Sequence, residues 1–426
     1  MKLLEAKGVD WRSEAAAGVT TFFTMAYIVV VNPSILAAPG TGMSFTGVMT
    51  ATVLLSFVMT LFMGLYARLP FAVAPGMGIN AFFAFTIILG QGVPWPQALG
   101  IVFWSGVLFI AVSLTPLREA VAEAIPPGLR SATAVGIGIF LTFIGLRNAG
   151  LVVADPVTFV KLGPLDGRAL LALGGLALMA RLSARKNPFA FLGGMAAVTA
   201  AGWALGYVKP PESLWSRPDF SSVFLKLDIA GSLRLALLPA IISLFFTDLF
   251  DSISTFVGVS HACGMTDAQG KPRNLREGLI VDAFATLGAS LAGTSSGTAY
   301  IESAAGIEAG GRTGWTAVFT ALCFLPCFFL SPLAAMVPPF ATAPVLILVG
   351  ALMFRSVKAL PLERLEDAIP AFLTLVLIPL TFSITQGILW GFVSHVALYT
   401  LAGRAKEVKP LLWLLGAISV GLLWLH

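Results

Sequence analysis

The stretch Leu244-Phe-Phe-Thr-Asp-Leu-Phe-Asp251 sets two carboxylates, Asp248 and Asp251, three residues apart in an otherwise apolar run. At that spacing both fall on one side of a helix. A third carboxylate, Glu302, follows the small-residue stretch Gly293-Thr-Ser-Ser-Gly-Thr-Ala-Tyr-Ile301, and an amide, Asn80, ends Ala74-Pro-Gly-Met-Gly-Ile-Asn80. A charged aspartate at the centre of a bilayer costs about 3 kcal/mol on insertion scales, so such groups pair, or face a polar path. No lysine or arginine falls in the middle of an apolar run, so ion pairing does not account for Asp248, Asp251 or Glu302. Desolvation disfavours the charged form of a carboxylate, which suits these three to bind and release a proton. Asp251 has a second reading, that of holding the shape of the site by hydrogen bonding.

Other polar residues read as less specific. Glu308 and Arg312 are spaced to pair at a helix end, and Asp282 and Glu277 lie beside Lys271, Arg273 and Arg276 as expected of an interface. His395 reads as a packing or helix–helix hydrogen-bonding residue. Phe82, Phe83 and Tyr300 sit where an aromatic ring could stack on a planar ligand. Cys263, Cys323 and Cys327 form no metal-binding set, and no metal site is expected.

The elements that must carry these groups are membrane helices. Of 426 residues 57% are hydrophobic and only 11% charged, and mean hydropathy is +0.91. Soluble domains carry roughly 25% charged residues, so this chain lacks the polar surface a water-soluble fold needs. A spanning helix takes about 20 apolar residues, and fourteen segments qualify: approximately 14–36, 46–66, 71–89, 97–115, 131–152, 168–182, 188–206, 234–259, 276–291, 293–309, 315–335, 342–356, 368–384 and 387–402. A further apolar run, 411–425, reads as a short C-terminal helix on or partly in the membrane. The expected fold class is all-α and polytopic.

With the N-terminus inside, nineteen of the 26 lysines and arginines fall in inner segments, among them Lys2, Lys7, Arg118, Arg130 and Lys271. The other seven, including Arg147, Lys161 and Lys209, fall in two outer loops, the asymmetry expected of a multi-pass protein. The charged start, 1–14, runs into a span with no small-residue cleavage site, so a cleaved signal is not expected. No basic–aromatic patch points to nucleic acid.

The polar stretch 209–233, with Pro210, Pro211 and Pro218, separates seven spans (1–208) from seven more (234–403), and 404–426 forms a tail. Phe22-Phe23-Thr24 echoes Phe245-Phe246-Thr247, and the glycine-rich stretches before Asn80 and Thr298 occur in the same order. Seven is odd, so equivalent spans would cross in opposite directions, the inverted repeat used by secondary transporters. Spans 3 and 10 each open with a Gly/Pro/Ser-rich stretch that makes a poor helix, followed by a helical piece of about ten residues. Non-helical backbone at membrane depth must be buried in protein or line a cavity.

At these residues the sequence resembles the nucleobase–cation symporters of the nucleobase–ascorbate transporter superfamily, and most of all their AzgA-like branch, the adenine/guanine/hypoxanthine permeases. The carrying segments are 22–33 (Phe-Phe-Thr-Met-Ala-Tyr-Ile-Val-Val-Val-Asn-Pro), 74–83 (Ala-Pro-Gly-Met-Gly-Ile-Asn-Ala-Phe-Phe), 145–150 (Gly-Leu-Arg-Asn-Ala-Gly), 247–251 (Thr-Asp-Leu-Phe-Asp) and 293–306. The resemblance implies fourteen spans as seven-plus-seven inverted repeats. A core domain of spans 1–4 and 8–11 would hold the substrate, and a gate domain of spans 5–7 and 12–14 would move against it. Such proteins are often dimers through the gate domains. It further implies a purine nucleobase as substrate, a proton as coupling ion with sodium as the alternative, and no other cofactor. Asp248 and Glu302 would bind the base, with Asn80, Tyr300, Ile301, Thr298, Phe83 and Thr24 around it, and Glu302, Asp248 and Asp251 would handle the proton. Aspartate in span 8, where the uracil and xanthine branches usually carry glutamate, favours a purine over uracil.

Three other functions compete. A uracil or xanthine permease differs only in the bound base. An anion exchanger of the sulfate-permease kind would want a cation facing the broken spans. An intramembrane aspartyl protease would need its two carboxylates on facing segments, whereas Asp248 and Asp251 share one. No nucleotide-binding loop or nucleophile–base set is present, so an enzyme is not expected.

Overall fold

The computed structural model describes residues 10–115, 125–211, 213–266 and 272–424. Lys2, Lys7, Arg118, Lys271 and Leu425 of the sequence argument lie outside them. The first half runs α1 (Trp11–Met25), α2 (Ile28–Leu36), α3 (Phe45–Phe62), β1 (Val73–Pro75), α4 (Met77–Ala81), α5 (Trp95–Leu114), α6 (Pro127–Asn148), the hairpin β2 (Val152–Asp155) and β3 (Phe159–Leu162), α7 (Gly167–Ala184) and α8 (Ala190–Ala204). The second runs α9 (Leu238–Ala262), α10 (Leu275–Ala292), β4 (Gly297–Ala299), α11 (Ser303–Glu308), α12 (Gly314–Phe324), α13 (Ser331–Ala335), α14 (Pro339–Met353), α15 (Leu365–Thr381), α16 (Ile384–Leu401) and α17 (Pro410–Trp424). Among the described residues, seven helical stretches are by themselves long and apolar enough to cross a membrane, including 11–36, 95–114, 127–148 and 235–262.

Helix α6 begins earlier than its hydropathy indicates. Pro126 and Pro127 open it, since proline's fixed φ suits the first helical turn and its missing N–H is no loss there. The boundary therefore falls at 127 rather than 131, and Arg130 lies inside the helix, not in an inner loop. Residues 151–152, placed in the same span by hydropathy, instead leave the helix, and Val152 starts the β2–β3 hairpin.

The helices sort into two packing groups. Helices α1, α3, α5, α10 and α12 pack on one another, with α9 against α5; α6, α7, α14 and α15 form the second group, with α8 on α7 and α16 on α15. The groups meet where α4 and α9 lie against α6, where α9 lies against α16, where α1 lies against α8 and where α2 lies against α14. Segment 209–233 is not a free linker: Asp219 accepts from Thr46 Oγ1 (3.0 Å), and the Asp228 amide donates to the Pro96 carbonyl (2.8 Å).

Against α3, α9 and α10 the chain breaks its helices, as the glycine-rich stretches predicted. Strands β1 and β4 cross antiparallel, pairing Val73 with Ala299, Ala74 with Thr298 and Pro75 with Gly297, and all six residues are buried. Extended backbone in a membrane interior needs its polar groups satisfied within the protein. Thr60 Oγ1 both accepts from the Val73 amide (2.9 Å) and donates to its carbonyl (3.0 Å). The Ala72 amide donates to Ser303 Oγ (3.0 Å), the Gly76 amide to the Ser296 carbonyl (3.1 Å), and the Tyr300 amide to the Ala72 carbonyl (2.9 Å). The helical piece after β4 is six residues rather than about ten, ending at Glu308.

Candidate functional site

A cavity of about 50 Å³ lies where the two helix groups meet. Helix α4 contributes Gly78 and Ile79; α6 contributes Arg130, Thr133 and Ile137; α9 contributes Thr247, Phe250, Asp251 and Ser254. Gly78 is required by the close approach of α6, since a Cβ there would stand 2.5 Å from Ile137 Cγ2. A water needs some 10–15 Å³ of such space, so the cavity has room for a few waters and is smaller than a bicyclic base. A second, larger groove of about 470 Å³ between α16 and α17 is lined by Val393, Val396, Trp413 and Val420 and carries little that is polar. It is a surface crevice of the kind a lipid-facing pair of helices leaves.

The two aspartates of α9 part company. Thr247, Phe250, Asp251 and Ser254 stand at i, i+3, i+4 and i+7, the spacing of one helix face, and that face is the cavity wall. Asp248 stands at its edge and turns away: fully buried, it accepts a hydrogen bond from Thr286 Oγ1 on α10, and its Oδ1 has no partner. Three-residue spacing brings two side chains near each other without making them face the same neighbour. Asp251, by contrast, is only half-buried and faces the cavity.

The other predicted residues divide in the same way. Glu302 is half-buried and accepts from Tyr27 Oη at 2.6 Å, with Tyr27 sitting in the break between α1 and α2. Ile301 beside it is 61% exposed, so the chain opens outward at this point. Asn80 is fully buried and accepts from Ser295 Oγ, tying α4 to the stretch before β4. Tyr300 donates to the Pro75 carbonyl (2.5 Å), and Thr298 Oγ1 lies 3.2 Å from Ser252 Oγ. These side chains, with Asp248, form a polar layer behind the cavity that holds the crossing strands. Phe82 and Phe83 are fully buried, and the ring that lines the cavity is Phe250. Thr24 Oγ1 donates to the carbonyls of Thr20 and Thr21 within its own helix (2.9 and 2.8 Å).

Several groups were read differently from sequence. Asp282 is not interfacial: it is fully buried and accepts from the Ala299 amide (3.0 Å), which anchors β4. Glu308 pairs with Lys186 (2.7 Å) rather than with Arg312, whose Nη1 donates to the Cys263 carbonyl (3.0 Å). Glu14 is 4% exposed and accepts from the amides of Arg312, Thr313 and Thr316 (3.0–3.1 Å) and from Thr316 Oγ1, capping α12 from another helix. His395 stacks on Tyr399 (4.2 Å between ring centres). The apolar run starts at 131 and leaves Arg130 in an inner segment; the prolines at 126 and 127 are the signal that places it in the helix. Thr247, Phe250 and Ser254 could have been found by extending the helical spacing from Asp251.

Residues 12–389 match the permease family of nucleobase–ascorbate transporters. The chain is 40% identical to the adenine permease AdeP of Escherichia coli K12, over 96% of this chain and 91% of that one. It is also 40% identical to the guanine/hypoxanthine permease PbuO of Bacillus subtilis 168, over 96% of each. Among solved structures, the transmembrane domain of the cyanobacterial bicarbonate transporter BicA superposes with a TM-score of 0.68 at 17% identity, covering 90% of this chain and 98% of that domain, a likeness of fold. A multi-pass helical membrane protein with broken helices crossing beside a cavity, and with this extent of sequence match, belongs to the nucleobase–ascorbate transporter family of permeases.

Proposed function

We propose that the protein is a proton-coupled symporter that imports purine nucleobases (adenine, guanine or hypoxanthine) across the cell membrane by alternating access. The observation that carries this reading is Asp251, a carboxylate facing a cavity at the broken helix α4, beside Phe250 and the hydroxyl-bearing residues Thr247 and Thr133. A purine is flat, neutral and edged with donors and acceptors; a carboxylate and hydroxyls match its edge, and an aromatic ring covers its face. Adenine and guanine/hypoxanthine are the bases named for the relatives just described, and the uracil and xanthine reading is correspondingly weaker. An anion exchanger gains support from Arg130 in the same cavity, but the Asp251 carboxylate in that cavity would repel an anion.

In this reading Asp251 is the span-8 acid that accepts the base's N–H groups. Asp248, Asn80, Thr298 and Tyr300 hold the crossing strands in place. Glu302, bonded to Tyr27 and next to the exposed Ile301, exchanges the proton. The group with α1, α3, α5 and α9–α12 acts as the core. The group with α6–α8 and α14–α16 acts as the gate, through which two copies would pair. The cavity admits a base only when the groups separate, which is the motion alternating access requires. One charge moving through 100 mV supplies about 2.3 kcal/mol, roughly a fifty-fold gradient, enough to drive accumulation. The N-terminus lies on the cytoplasmic side in this arrangement.

The test is uptake of radiolabelled adenine, guanine, hypoxanthine, xanthine and uracil into proteoliposomes, with and without an inward proton gradient. Accumulation of one of the first three that requires the proton gradient is the expected result. Accumulation that follows a sodium gradient would overturn the proton. Sulfate uptake with no base uptake would overturn the substrate class.

A further inference from the structure

Arg130 and Asp251 both line one cavity, the first on α6 and the second on α9. Neither is engaged. The Nε of Arg130 is buried with no hydrogen-bond partner, and among the described residues neither side chain takes part in an ion pair. The other charges on the elements around them are spoken for or share the sign of Arg130. Asp248 is bonded to Thr286 and Glu302 to Tyr27. On α15, Asp367 accepts from Tyr399 (2.6 Å) and Glu366 pairs with Arg404 (2.5 Å). On the turn after α14, which packs on α6, the charges are Arg355 and Lys358. Asp251 is thus the one unengaged carboxylate on the elements that face Arg130 among the described residues, and the two sit on the two bodies that must move past each other.

A symporter of a neutral base and a proton crosses in two forms. Loaded, Glu302 holds the proton and the base's N–H groups cover the Asp251 carboxylate. Empty, Asp251 has lost the base and stands bare at membrane depth, which is costly unless it is paired. We propose that Arg130 is the counter-ion of the empty carrier: once base and proton have left, its guanidinium closes on the Asp251 carboxylate across the shrunken cavity and lets the core return. Arg130 is a positioning residue here, touching Asp251 rather than the base. The proposal rests on the proton-coupled reading above.

It separates two transport modes. Net uptake needs the empty return step; counterflow, in which labelled base outside exchanges for unlabelled base inside, does not. In proteoliposomes, with the base the wild-type protein accumulates, Arg130→Gln should slow proton-driven net uptake about ten-fold or more while counterflow stays within about two-fold, because removing one partner leaves the other charge unpaired. Arg130→Lys, which keeps the charge, should restore much of net uptake, and it carries the test alone if Arg130→Gln elutes aggregated. Equal slowing of both modes in a folded variant, or no slowing of either, would overturn the proposal. Wild-type protein that performs counterflow but never accumulates base under a proton gradient would instead overturn the coupling reading, and the Arg130 proposal with it.

Discussion

Replacing each α9 aspartate by asparagine should give opposite phenotypes. Asp251 lies in a cavity whose other walls include the apolar side chains of Phe250, Ile79 and Ile137, so a bond from its carboxylate to a base N–H is charge-assisted and poorly screened. Such bonds contribute about 1.5–3 kcal/mol. At about 2 kcal/mol, Asp251→Asn weakens base binding roughly thirty-fold. Asp248→Asn changes little at the cavity. Its amide oxygen still accepts from Thr286 Oγ1, and its nitrogen replaces an oxygen that has no partner now. The cost there is an amide N–H buried without an acceptor, about 1–2 kcal/mol of stability. Equilibrium binding of radiolabelled base to purified protein gives the Kd, and thermal unfolding in the same detergent gives the stability. The reasoning fails if Asp248→Asn loses binding at an unchanged Tm while Asp251→Asn binds as the wild type does.

Glu14→Ala strips α12 of its cap from a neighbouring helix. Three amides and the Thr316 hydroxyl lose their acceptor, and unfolding should come a few degrees earlier, equivalent to about 2 kcal/mol. Gly78→Ala places a methyl against Ile137 Cγ2, 2.5 Å away; transport should slow sharply, and Ile137→Ala in the same chain should restore it. The β2–β3 hairpin should loosen in acid. Backbone hydrogen bonding from Thr158, then Lys161, brings Asp155 down to about 2. Because the folded value lies below the unfolded one, the stabilisation is present above pH ~4 and lost as pH falls toward 2. Hydrogen exchange of the amides of 152–162 across that range is the measurement, and a flat response would count against the pairing.

Much of the helical skeleton was legible because hydropathy acts locally: α5 at 95–114 and α7 at 167–184 fall within two residues of the runs 97–115 and 168–182. The broken stretches were legible for the same reason, since Ala-Pro-Gly-Met-Gly and Gly-Thr-Ser-Ser-Gly cannot sustain helix. What the sequence hides is direction. Asp248 and Asp251 are equally acidic and equally embedded, and only the packing of α9 between α6 and α10 sends one to the cavity and the other to Thr286. Asp282 reads as interfacial from its basic neighbours along the chain, yet its side chain is claimed by a strand amide seventeen residues on. Arg130 reads as a loop charge because the apolar run starts at 131, whereas the helix starts at its prolines, four residues earlier.

The hydrogen bonds of the crossing strands also say where motion can occur. Thr60, Asp282, Ser296 and Ser303 reach β1, β4 or their flanks from α3, α10 and the adjoining segments, and each contact is buried. Breaking one in a membrane interior strands a backbone group with no water to take its place, so α3, α10 and the two strands move as a unit. Across the boundary the contacts are Gly78 against Ile137, the rings and hydroxyls of the cavity, a bond from Thr86 Oγ1 to the Phe382 carbonyl and the exposed ion pair of Lys186 with Glu308. Apolar surfaces that meet over a glycine can slide at little cost, whereas a strand amide held by an aspartate cannot. The boundary between α4 and α9 on one side and α6 on the other is therefore a surface along which the fold can slide, and Asp251 and Arg130 line the cavity on it.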